Sequence, residues 1–151
     1  MVKYLKELGV KEEAVVNSML FHDDENESRK ELFESQRAEL GFDERETWDL
    51  RYTSACWLYQ HIKFFKEVGS EVVDFTFYKF KFQEDDGTEI ELTQEQSIDK
   101  IIELLETFIK YENKSDIWED IDQENDEELY AQKCLRKAFK MYGEIIPAMW
   151  W

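Results

Sequence analysis

The chain has 151 residues, and its 19 Lys plus Arg against 36 Asp plus Glu give a formal charge of −17, a field that repels nucleic acid and anionic membrane and suits a basic protein surface. Its 42% hydrophobic content, with five Trp, seven Tyr and eleven Phe, excludes a disordered acidic tail, because each buried ring removes about 150–250 Å² from water. The length suits a single acidic globular domain, 1–151; no run has the apolar core of a signal peptide or the roughly 18 apolar residues of a membrane span, so a cytoplasmic protein is expected.

Residues 1–20 read as a short helix, a break at Gly9 and a weak second helix with Ala14, Val15, Met19 and Leu20 inward, making 1–27 a peripheral helical extension. The acidic stretch 22–27 interrupts it. Ser28 and Glu31 then make a capping box for a surface helix anchored by Leu32, Phe33 and Leu40 and closed by Gly41. Asp43 with Glu46 repeats the capping pattern.

The segment 45–68 is apolar on two stripes, Tyr52, Ala55, Leu58, Tyr59, Ile62 and Phe65 on one and Trp57, Phe64 and Val68 on the other, which predicts a central helix over 49–67 with Trp57 in the core. Gly69 is placed to close it. From Glu71 the period changes: EVVDFTFYKFKF carries Val73, Phe75 and Phe77 on one face and Tyr78, Phe80 and Phe82 on the other, a strand with a bulge or with burial on both sides. Asp86-Gly87 before TEIEL predicts a β-hairpin near 72–92.

Thr93 and Gln96 form a third capping box, opening an amphipathic helix with Ile98, Ile101, Ile102, Leu105, Phe108 and Ile109 inward. Between Glu112 and Glu128 lie nine carboxylates and one lysine around Ile117 and Trp118, the composition of a solvated segment. A last helix over 127–142 places Leu129, Tyr130, Leu135, Ala138 and Phe139 inward and Lys133, Arg136, Lys137 and Lys140 outward, stopped by Gly143 and Pro147. The pattern predicts an α+β, mainly α fold: four to five helices around the 49–67 helix, with one hairpin.

Chemistry finds few footholds. With Asp120 at the first position of a calcium loop, Asn125 occupies the glycine position and Ala131 that of the bidentate glutamate, so the EF-hand reading fails. His22-Asp23 lacks the upstream histidine of a phosphohydrolase metal pair, and Cys56, Cys134, His22 and His61 would all have to converge to hold zinc. No phosphate-cradling glycine loop or nucleophile elbow occurs. Glu103 and Glu106, one turn apart, leave open a metal-dependent all-α nucleotide pyrophosphohydrolase. No cofactor or resident metal is expected, and the cysteines read as reduced buried thiols.

The blocks GFDERETWDL at 41–50, WLYQHIKFFKE at 57–67 and FKMYGEIIPAMWW at 139–151 resemble a set of small acidic proteins of tailed bacteriophages, which carry G-F-D-x-x-x-T-W, W-L-Y-x-x-x-K-x-F and a terminal P-x-M-W-W. The resemblance covers about two thirds of the chain, names no catalytic residue, and implies a protein that binds host or anti-phage defence proteins, sometimes as a nucleic-acid mimic. The expected contact is the run Asp116, Glu119, Asp120, Asp122, Glu124, Asp126, Glu127 and Glu128, meeting a basic protein surface and neither nucleic acid nor membrane directly. Two plainer readings stand beside it: charge that only maintains solubility, and a small structural or regulatory phage protein. The tail 145–151 is expected to fold back on Trp57 and Phe64, with docking on another subunit as the rival.

Overall fold

A computed structural model of the chain describes residues 3–10, 27–114 and 126–150. Among the described residues there are six α-helices, α1 (Lys3–Glu7), α2 (Glu27–Leu40), α3 (Arg45–Trp48), α4 (Leu50–Gly69), α5 (Gln94–Glu112) and α6 (Asp126–Ile145). A 3-10 turn (Ile146–Ala148) and one antiparallel hairpin, β1 (Lys79–Gln83) with β2 (Glu89–Thr93), complete them. The fold is α+β and mainly α. The chain divides into two compact units, Met1–Trp57 and Leu58–Trp151, and the division falls inside α4. The second helix expected within 1–20 lies outside the described residues.

In the first unit, α1 ends at Gly9, whose φ of 80° lets its amide reach the Lys6 carbonyl at 3.0 Å. Tyr4, Leu5 and Val10 are buried there. Helix α2 starts at Glu27, which places Ser28 inside the first turn and not at the cap. Phe33 is its buried anchor, while Leu32 and Leu40 stay exposed, as expected of a surface helix. Asp43 makes no box with Glu46, though its Oδ1 accepts the first amide of α3, that of Arg45, at 3.1 Å. Its carboxylate is turned inward, where it pairs with Arg37 Nε at 2.6 Å and accepts from Arg45 Nε and Nη2, both at 2.8 Å. The cap of α4 is Asp49, whose Oδ1 accepts from the Tyr52 amide at 3.2 Å.

In the second unit α5 packs on α6, and the hairpin lies against both. The Thr93–Gln96 box forms as expected: Oγ1 of Thr93 accepts the Gln96 amide at 3.2 Å and Gln96 Oε1 accepts the Thr93 amide at 2.9 Å. Helix α5 buries Ile98, Ile101, Leu104, Leu105, Phe108 and Ile109. Across from it α6 buries Ala131, Cys134, Ala138, Met141 and Ile145. Leu129 and Tyr130, expected inward, are exposed: small side chains at 131, 134 and 138 let the helices approach closely, and the bulkier neighbours turn out. The helix also runs through Gly143 to Ile145 before Pro147 sets a 3-10 turn.

Two further expectations are corrected. Trp57 is not a core residue but 50% exposed, and Phe64 and Val68 are exposed with it. At about 100° per residue these three fall nearly opposite Tyr59, whereas the buried face carries Tyr52, Ala55, Tyr59 and Ile62. The strand expected from Glu71 begins only at Lys79. The backbone before it is used locally: Val72 and Val73 amides bond the Gly69 carbonyl at 3.0 and 2.8 Å, and Asp74 Oδ1 accepts from the Thr76 amide and hydroxyl at 2.9 and 2.6 Å. The hairpin itself turns at Asp86-Gly87 with φ 85° at the glycine, pairs Phe80 with Leu92 and Phe82 with Ile90, and leaves Lys79, Lys81, Glu89 and Glu91 exposed.

Candidate functional site: the acidic run and the tail cleft

Of the eight carboxylates expected to bind a partner, Asp116, Glu119, Asp120, Asp122 and Glu124 lie outside the described residues. The other three, Asp126, Glu127 and Glu128, form the first turn of α6, where the unpaired amides of a helix N-terminus favour negative charge. Glu128 accepts from Gln132 Nε2 at 3.1 Å, and Lys114, just past the end of α5, pairs with Glu127. Its last three acids thus belong to α6, and in the sequence the run lies between α5 and α6. From Ser115 to Glu128 the sequence contains no lysine or arginine.

Elsewhere in the second unit several acids pair with lysines. Lys66 sits 2.5 Å from Asp99 and 3.7 Å from Glu95, and Lys100 lies 3.0 Å from Glu103. The hairpin pairs Lys79 with Glu91 at 3.5 Å and Lys81 with Glu89 at 3.0 Å, and Lys137 pairs with Glu84. Glu106 accepts from the Tyr59 hydroxyl at 2.9 Å and lies 3.9 Å from Lys110. Glu103 and Glu106, the pair with metal-binding spacing, are thus each committed to cations or a phenol of this chain. Among the described residues no group of three or more His, Cys, Asp or Glu is placed to hold a metal ion. Both cysteines are buried, and burial first, with the charge of Asp49, pushes the Cys56 thiol up to about 12 despite a hydrogen bond with Tyr52. No helix among the described residues is long and apolar enough to cross a membrane.

The tail folds back, though not as expected. A cleft of about 280 Å³ opens between α4 and the end of the chain, lined by Ile62, Phe64 and Phe65, by Tyr142, and by Ile146 and Met149 of the tail. Gln94, fully buried at the start of α5, donates from Nε2 to the Ala148 carbonyl at 3.0 Å. Met149 is the tail residue brought to Phe64, while Trp150 is 69% exposed and Trp151 lies outside the described residues.

Sequence reasoning missed one feature. Phe77 and Tyr78, assigned to a strand, project from the loop 70–78 as an exposed edge-to-face pair, with ring centroids 5.1 Å apart at 89°. The apolar residues change face between Phe77 and Tyr78, which the sequence reads as a bulge or two-sided burial; in the structure the strand starts just after that point, at Lys79. In the block 41–50 Gly41 supplies a φ of 83° and Asp43 gathers two arginines, and in the block 57–67 Lys63 sits 5.2 Å above the Tyr59 ring. No protein-family model, curated protein or solved structure matches this chain.

Proposed function

We propose that this protein is a non-enzymatic binder of basic protein surfaces, directed in the cytoplasm of a phage-infected cell at a nucleic-acid-binding host or defence protein, and that it works as a nucleic-acid mimic. One observation carries the reading: Glu95, Asp99 and Glu103 of α5 and Glu89 and Glu91 of the hairpin pair with lysines, whereas the run 115–128 has eight carboxylates and no cation within it, Lys114 beside it meeting Glu127. Carboxylates spaced along a segment can occupy the places of phosphates in a lysine- and arginine-lined groove, and they steer such a partner over long range. The resemblance to small acidic bacteriophage proteins supports the same direction.

The test pairs the wild type with a variant carrying Asn or Gln at the eight acidic positions. A partner recovered from bacterial lysate is titrated with each protein in competition with its nucleic acid. Wild type displaces the nucleic acid, with an affinity that falls as salt rises, and the neutralised variant does not. Affinity that survives both high salt and neutralisation overturns the proposal, and turnover of nucleotides with magnesium would favour the hydrolase instead.

A further inference from the structure

The loop 70–78 between α4 and β1 leaves Val72, Phe77 and Tyr78 at 69%, 75% and 47% exposure. Such residues are common at the tips of loose loops, but this loop is tied down. Phe75 is buried with its ring 5.4 Å from that of Phe65, and the Phe75 and Tyr78 carbonyls accept the Glu95 and Gln94 amides at 3.0 and 2.9 Å. The Asp74 side chain holds the Thr76 turn between them. An aromatic pair kept in water on a fixed backbone has its ordering cost already met, which is what a binding anchor needs.

Charge selects the occupant. Among the described residues Glu71 and Asp74 have no ion pair, while the lysines at the two ends of the loop are committed, Lys66 to Asp99 and Glu95 and Lys79 to Glu91. A second copy of the chain would bring −17 against −17. A protein surface with arginine or lysine around an apolar socket meets both the aromatics and the carboxylates. We infer that this loop is a docking site for such a surface, with Phe77 and Tyr78 seated in the socket and Glu71 and Asp74 at its rim. The inference rests on the proposed function for the sign of the partner and adds an aromatic anchor separate from the 115–128 run.

The probes are two synthetic peptides of equal length and charge, one alternating arginine with leucine, the other arginine with glycine, titrated into the full chain. The wild type binds the leucine peptide more tightly. The double substitution Phe77→Ser/Tyr78→Ser removes that preference, weakening the leucine peptide about tenfold while leaving the glycine peptide and the melting temperature in place. Glu71→Gln/Asp74→Asn, which keeps an acceptor for the Thr76 turn, weakens both peptides. Equal wild-type affinity for the two peptides, or a preference that survives Phe77→Ser/Tyr78→Ser, overturns the docking site. A wild-type dimer dissolved by that double substitution overturns it too and assigns the loop to a second copy. Binding that needs the 115–128 carboxylates and ignores the loop defeats this inference alone; binding of neither peptide defeats it together with the proposed function.

Discussion

Asp43 shows how one residue can define a turn. It has no exposed surface, and Arg37 and Arg45 converge on it from either side of the Gly41 turn, with the Arg45 guanidinium also stacked 4.2 Å from the Phe33 ring centre. Burial pushes its carboxyl up, but the Arg45 hydrogen bond and the charges of Arg37 and Arg45 outweigh it, so the group is held below its ordinary value of 3.8. Because the folded form binds its proton at lower pH than the unfolded chain, this contribution is complete above the unfolded pKa and is lost as pH falls through the folded one. While Arg37 keeps Glu46 at 2.8 Å, Asp43→Asn takes away the buried anion that the two guanidinium groups share. Both retain some exposure, so the expected loss lies toward the lower end of about 3–5 kcal/mol at pH 7, and it shrinks below about pH 4. Urea unfolding of both proteins at pH 7 and pH 3 checks this; a gap of constant size would remove the ion pairs as its source. None of this was legible in the sequence, where Asp43-x-x-Glu46 has the spacing of a cap and nothing local says that Arg37 returns to it.

Among elements, those fixed by contacts a few residues apart were legible. The Thr93–Gln96 box and the Asp86-Gly87 turn are local chemistry, and both form as the sequence implies. Thr93→Ala removes one arm of the box and should lower stability by about 1 kcal/mol in thermal or urea unfolding. What failed needed a second element. The face of α6 was set by how closely α5 approaches, and the fate of 71–78 by the free amides at the start of α5, which capture the Phe75 and Tyr78 carbonyls before a ladder can. The half-exposed position of Trp57 revises its weight: Trp57→Ala should fall well short of the about 3–5 kcal/mol of a buried tryptophan. The candidate site was legible as composition and not as geometry, since charge can be counted in a sequence whereas pairing cannot. The tail makes its own prediction. A chain ending at Pro147 leaves the buried Gln94 amide without the Ala148 carbonyl and uncovers the cleft wall that Met149 supplies. An unsatisfied buried donor costs about 1–3 kcal/mol, so the truncated protein should melt measurably lower as a monomer. An unchanged melting temperature would mean that Gln94 finds another acceptor.

For the whole molecule, a charge of −17 sets two effects of salt against each other. The ion pairs of the second unit are short, 2.5 to 3.7 Å between Lys66, Lys79, Lys81 or Lys100 and their acids, and lie well inside the screening length of about 10 Å at 0.1 M. The repulsion among unmatched carboxylates acts over longer distances, and at about 0.01 M, where screening extends to roughly 30 Å, each is exposed to most of the others. Raising salt from that level to about 0.15 M therefore removes more repulsion than attraction, because exposed pairs contribute only about 0–1 kcal/mol each. Folding stability should rise by about 1 kcal/mol, equivalent to about 2–4 °C in melting temperature for a chain of this size. The same titration should weaken binding to a basic partner, since there the long-range field is what draws the two together. Melting and binding followed in parallel across one salt series should move in opposite directions. A melting temperature that falls with salt would show that the short pairs dominate the fold, and an affinity that stays flat would take the electrostatic basis away from the binding reading while leaving the fold untouched.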